Sequence, residues 1–126
     1  MYYEVKMAFG HRRSDGEPLL PNRIEGVKNL GLSTLTRLFS GGWVNDGKGG
    51  YKSAADGHCM LEPCTQLTAY AKEVRESDWT QLMILASEIA TKLEQECVLI
   101  TIQRVEGMMY WVKPDVATRE WGEHAA

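Results

Sequence analysis

The chain has 126 residues, 44% hydrophobic and 25% charged, which suits one ordinary hydrophobic core and is too short for two. Its net charge of −3 and scattered basic residues, with only Lys6, Arg12 and Arg13 loosely grouped, argue against a nucleic-acid binder. No apolar run approaches the roughly 20 residues that span a bilayer, and the start "MYYEVKMAFG" is unlike a signal peptide. With three irregularly spaced cysteines that form no disulfide framework, the expectation is a cytoplasmic protein that touches neither nucleic acid nor membrane.

Tyr2 to Phe9 reads as a strand, with Tyr3, Val5, Met7 and Phe9 on one face and Glu4 and Lys6 on the other. A polar loop with Gly16 and two prolines follows. Asn22, with Glu25 three residues on, has the pattern of a capping box for a helix that repeats Ile24, Val27, Leu35, Leu38 and Phe39. Gly26 and Gly31 weaken that helix.

The next stretch, Ser40 to Lys52, is rich in glycine. Gly42 to Lys48 fits the first seven positions of a phosphate-binding loop, but Gly49 stands where a hydroxyl should hold magnesium, and no helix start follows. A hairpin is the plainer reading, with Trp43-Val44-Asn45 and Gly50-Tyr51-Lys52 as arms and Asp46-Gly47 as the turn. Such a hairpin also suits a cover for a ligand.

Leu61 to Ala71 suits a strand interrupted early by Pro63. Ser77 or Asp78 then caps a helix whose apolar stripe is Leu82, Leu85, Ala86, Ile89, Ala90 and Leu93. "CVLITIQ" is an apolar strand, "RVEG" a turn, and "MMYWV" from Met108 a further strand. The expected organisation is one domain over residues 1–112, with a polar tail at 113–126 that is loosely held or packs on a neighbour. The order of strands and helices is the split β-α-β pattern: an α+β, ferredoxin-like antiparallel sheet with two helices on one face.

Few residues offer chemistry. His58, Cys59, Cys64 and Cys97 invite a zinc reading, but the spacing matches no pair of zinc knuckles, and Cys64 and Cys97 suit small buried hydrophobes. His58 and Cys59 are strand neighbours that point to opposite faces. His11 and His124 read as ordinary exposed histidines. Glu62, in "CMLEPC", is a carboxylate among apolar residues, where charge is expensive unless paired; the alternative is a solvent-facing position at an edge, as Pro63 suggests. Glu94-Gln95-Glu96 sits at a helix C-terminus, where the dipole disfavours negative charge.

"EQECVLI" at a helix-to-strand junction, with "GMMYWV" after a short turn, resembles the phage-encoded S-adenosylmethionine lyases, long described as hydrolases. That family carries a similar Glu-Gln-Asp-Cys-Val-Leu run, and a glycine-tyrosine pair followed eleven positions later by glutamate; Gly50-Tyr51 and Glu62 reproduce that order and spacing. "YYEVKMAF" resembles its opening strand. The resemblance implies a PII-like ferredoxin fold, a homotrimer with active sites between subunits, and no cofactor. It implies cleavage of S-adenosylmethionine to methylthioadenosine and homoserine lactone, depleting the methyl donor of host restriction-modification enzymes. Glu62 would bind the substrate ammonium and Tyr51 orient the same end, as catalytic residues, with Gln95 and Glu96 as substrate-binding residues.

Two readings from other classes stand beside it. One is a PII-like nucleotide-binding regulator without chemistry. The other is a phage protein that binds a host enzyme through exposed tryptophans such as Trp43, Trp79, Trp111 or Trp121.

Overall fold

The computed structural model describes residues 1–52, 57, 59–112 and 114, with backbone alone at 51, 52 and 60. Alternating apolar residues form strand β1 (Tyr3–Gly10), whose Val5, Met7 and Phe9 are buried. Helix α1 follows (Pro21–Phe39), then strands β2 (Trp43–Lys52) and β3 (Cys59–Ala71), helix α2 (Glu76–Lys92) and strand β4 (Leu99–Arg104). The strands lie in the order β2-β3-β1-β4, every pairing antiparallel. This is the expected ferredoxin-like α+β arrangement.

One face of the sheet is apolar because every second residue is. Val5, Met7, Phe9, Leu67 and Ala69 meet Ile24, Val27 and Leu35 of α1 and Leu82, Leu85 and Ile89 of α2 in one core. Gly31 has a packing use: a Cβ there would overlap Leu67 Cδ1, so its bare backbone lets α1 lie close on β3.

Several local expectations are corrected. Asn22 does not cap α1; the helix begins at Pro21, with Leu20 as N-cap, because proline's fixed φ and missing N–H suit the first helical position. Nor do Ser77 or Asp78 cap α2. Its N-cap is Arg75, and the buried Asp78 carboxylate accepts that residue's backbone N–H at 3.0 Å from the third helical position.

The glycine-rich stretch is not a hairpin. Trp43–Lys52 runs as one strand, paired residue for residue with β3 from Trp43↔Thr68 to Lys52↔Cys59, so the reversal comes after Lys52. Cross-strand pairing outweighs the local turn preference of Asp46-Gly47.

Pro63 does not interrupt β3. The Pro63 carbonyl accepts the His11 N–H at 3.0 Å, while the His11 carbonyl takes a bond from Leu19 N–H at 3.0 Å, so no donor is needed from the proline ring. Residues 108–112 form no strand. After the turn at Gly107 (φ 88°), Trp111 stacks on Trp43 of β2 at 5.9 Å between ring centroids. The expected tail, apart from Pro114, lies outside the described residues.

Candidate functional site

On the sheet face away from the helices, Glu62 stands between two glycines. Gly49 of β2 is its direct partner, and Gly10 of β1 pairs with Cys64, two residues along β3 on the same face. A Cβ on Gly10 would overlap the Glu62 carboxylate, and none is present, so that carboxylate lies against bare backbone. Its Oε2 is buried and has no hydrogen-bond partner among the described residues. Burial raises the Glu62 pKa above the ordinary carboxylate value, and the Arg12 guanidinium partly opposes this. The solvent-facing edge position that Pro63 suggested is corrected: β3 lies between β2 and β1, and although Glu62 takes the face without helices, its Oε2 is out of water. An unpartnered buried carboxylate is a receptor for a cation or a proton.

The connection after α2 fixes this place. Gln95 Nε2 donates to the carbonyls of Gly10 and of Arg12, the latter at 2.9 Å. One amide therefore holds both the residue under Glu62 and the residue whose charge acts on it. Glu94, in the left-handed region at φ 51°, turns the chain here; its carboxylate pairs with Arg23 at 3.3 Å and Arg13 at 3.8 Å, which offsets the charge that the helix terminus disfavours. Glu96 is exposed.

On the other face a polar chain joins three elements. The buried Thr65 hydroxyl donates to Asp46 Oδ1 at 2.8 Å, and Lys28 Nζ of α1 reaches Asp46 Oδ2 at 2.7 Å. His11 Nε2 lies 2.6 Å from Thr65 Oγ1. With the Thr65 proton committed to Asp46, His11 donates through Nε2. Burial lowers the His11 pKa, Asp46 raises it and Lys28 lowers it further. Lys28 and Thr65 hold Asp46 below the usual carboxylate range.

Of the four residues expected at a site, Glu62 and Gln95 converge on Gly10. Tyr51 pairs with Met60, one step beyond Gly49↔Glu62 on the same face; its side chain lies outside the described residues. Gln95 has both amide hydrogens engaged by the backbone, so its observed work is positioning. Arg12 and the His11–Thr65–Asp46 chain were not picked out from the sequence. His11 and Thr65 are 54 positions apart, and only strand pairing joins them.

Among the described residues there is no cluster that could hold a metal ion. Cys97 and Cys59 are exposed and Cys64 is half-buried, so the expectation of buried Cys64 and Cys97 fails: Cys97 precedes β4, which begins at Leu99, and Cys64 takes the sheet face away from the helices. His58 lies outside the described residues. A cavity of about 710 Å³ lies at the opposite end of β3, beside Trp43, Tyr70 and Trp111. We place the candidate site at Glu62 nonetheless, because a desolvated and unpartnered charge demands a ligand more specifically than volume does.

No family model matches the chain, and no curated protein matches its sequence. Solved structures do match in fold. A phage SAM lyase in complex with S-methyl-5'-thioadenosine is similar at a TM-score of 0.61 and 18% identity, over 89% of this chain and 93% of the other. A phage SAM lyase in the apo state is similar at 0.60 and 19% identity, over 80% and 78%. The periplasmic divalent cation tolerance protein CutA from Archaeoglobus fulgidus is similar at 0.51 and 9% identity, over 86% and 88%. The likeness is one of fold, and it includes the lyase fold that the sequence motifs suggested.

Proposed function

We propose that the chain is an S-adenosylmethionine lyase that cleaves its substrate to 5'-methylthioadenosine and L-homoserine lactone. The observation that carries this reading is Glu62 Oε2, buried against Gly10 without a hydrogen-bond partner among the described residues. It sits in a fold like that of a phage SAM lyase whose structure holds S-methyl-5'-thioadenosine. The Gly50-Tyr51 pair and Glu62 in motif spacing, and the Glu-Gln-Glu-Cys-Val-Leu run that carries Gln95 and Glu96, support the same reading.

The chemistry asks little of the protein beyond position and dryness. The substrate's own carboxylate oxygen attacks its γ-carbon; the C–O bond of the lactone forms as the C–S bond breaks, and the sulfonium sulfur leaves with the bonding pair as a neutral thioether. One negative and one positive charge vanish together. A site less polar than water therefore favours the transition state over the charged ground state. The reacting atoms must be held near roughly 3–3.5 Å in line.

Glu62, as a carboxylate, holds the substrate ammonium and folds the amino-acid part back on itself. Tyr51 orients the same end, by its hydroxyl or by a cation–π contact with the sulfonium. Gln95 fixes Gly10 and Arg12, and Glu96 adds a polar group at the same junction. No proton is transferred and no cofactor is required.

The reading includes a homotrimer with active sites between subunits, in the cytoplasm of a host whose restriction-modification enzymes lose their methyl donor. Exposed Leu99, Met108, Tyr110 and Val112 support burial against further copies. No helix among the described residues is long and apolar enough to cross a membrane.

The test is incubation of the purified protein with S-adenosylmethionine and identification of early products by mass, beside Glu62→Gln and Tyr51→Phe. Methylthioadenosine with homoserine lactone, lost in a folded Glu62→Gln, is the expected result. Intact substrate at every concentration overturns the lyase and leaves a ligand-binding regulator.

A further inference from the structure

We propose that His11 is a positioning residue for the Glu62 site, holding the end of β1 from the helix-bearing face of the sheet through Thr65, Asp46 and Lys28. Its part in catalysis rests on the lyase reading; its hold on the place of the Glu62 carboxylate does not.

The site creates a weak point in its own frame. Position 10 must lack a Cβ, because the Glu62 carboxylate fills that space. Glycine, however, has the most backbone freedom to lose, and Gly10 is the last residue of β1, where a strand frays. Rigidity there has to come from the residues that follow. The backbone supplies part of it. His11 N–H donates to the Pro63 carbonyl at 3.0 Å, and the His11 carbonyl accepts from Leu19 N–H at 3.0 Å. Gln95 takes the Gly10 and Arg12 carbonyls on either side of it.

The His11 side chain supplies the rest from the opposite face. Thr65 and Glu62 are three residues apart on β3, so their side chains point to opposite faces. A hydroxyl out of water is expensive unless it is bonded, and the buried Thr65 is bonded twice. It accepts from His11 Nε2 at 2.6 Å and donates to Asp46 Oδ1 at 2.8 Å, while Lys28 Nζ holds Asp46 Oδ2 at 2.7 Å. The segment beside Glu62 is thus tied in succession to β3, β2 and α1.

This tie does not depend on the charge of His11. Asp46 favours the imidazolium, while burial and Lys28 oppose it, but Nε2 carries a hydrogen in the neutral tautomer present here and in the imidazolium alike. Every contact in it lies within one chain, so association with further copies neither supplies nor removes it.

The test follows Glu62 itself, by carbon NMR of the full chain with isotope-labelled glutamate carboxyls, the Glu62 signal being the one lost in Glu62→Gln. Burial is the larger cause of the raised Glu62 pKa, and Arg12 the smaller, opposing one. A loosened strand end admits water to the carboxylate, so the titration midpoint moves down toward 4.5. That shift is expected in His11→Leu, which removes the donor, and in Thr65→Val, a second variant that keeps the shape of the core and removes the acceptor. His11→Gln, whose amide nitrogen replaces Nε2 as donor, restores the midpoint of the parent. Where the parent cleaves S-adenosylmethionine, kcat/KM falls about tenfold in the Leu and Val variants, through kcat rather than KM, and recovers in His11→Gln; this is short of the roughly 100-fold of an ångström-scale misplacement. A parent that leaves the substrate intact sinks the lyase reading, and the Glu62 titration still decides the role of His11. Folded Leu and Val variants that keep the parent midpoint, or a His11→Gln that behaves as His11→Leu, overturn the proposal.

Discussion

The Glu62 carboxylate lies against the bare backbone of Gly10, in space that any other residue at position 10 would take. Gly10→Ala therefore displaces the carboxylate while leaving the ladder of β1 intact, since Gly10 is its last residue. On the lyase reading, an ångström-scale shift lowers kcat/KM for S-adenosylmethionine by about 100-fold, with an unchanged far-ultraviolet circular dichroism spectrum. Full activity in Gly10→Ala would show that the contact plays no part in positioning.

Burial holds the Glu62 pKa above its ordinary value of 4.5. Such a group binds protons more readily folded than unfolded. Its stabilising contribution is present below pH 4.5 and is lost as pH rises through the folded value. In the free protein at neutral pH, the charge thus opposes folding. Glu62→Gln is expected to melt at the same or a higher temperature than the parent at pH 7, with the difference closing in acid. A lower melting temperature at neutral pH would reveal an anchoring partner for the carboxylate.

His11 behaves in the opposite sense. Its pKa is lowered from 6.5, chiefly by burial, so its contribution is present above pH 6.5 and is lost as pH falls through the folded value. The melting temperature should drop across that window, and His11→Gln, which retains a donor for Thr65, should flatten the step. Asp46, held below 3.8 by Lys28 and Thr65, titrates in stronger acid and leaves the two steps separable. An identical pH profile in His11→Gln would assign the first step to another group.

Gln95 gives a prediction that separates positioning from substrate contact. Gln95→Leu leaves the Gly10 and Arg12 carbonyls without their donor. A loss of about 1–3 kcal/mol is expected in denaturant unfolding. A residue used only for substrate would change KM and leave the unfolding midpoint alone.

Leu67 and Gly31 form a coupled pair. Leu67→Ala should cost about 2–5 kcal/mol as a cavity in the core. Gly31→Ala should also destabilise, because its Cβ meets the Leu67 side chain. In the double variant the new methyl enters the vacated space, so the combined loss falls short of the sum in urea titrations. Strict additivity would place the two residues out of contact.

What could be read from the chain follows from period and spacing. The alternation through Val5, Met7 and Phe9, and the stripe from Leu82 to Leu93, mark one strand and one helix because a buried face needs apolar residues at the repeat of the element that carries it. Their order then implied the ferredoxin-like sheet, and Glu62 stood out as a charge in apolar company. Local rules failed where pairing outweighed them: Asp46-Gly47 lies within a strand because β3 pairs along all of β2, and Met108 to Val112 folds back onto Trp43 where the residue types suggest a strand.

The sequence by itself determined which residues are buried in the core and in what order the elements come, since periodicity is a property of neighbours along the chain. Only the tertiary structure decided that Gly10 and Gly49 flank Glu62, that Gln95 holds Gly10 and Arg12, and that His11 reaches Thr65. Those contacts join residues on separate strands and loops, and their energies depend on strand register and on the exclusion of water, which no local pattern encodes.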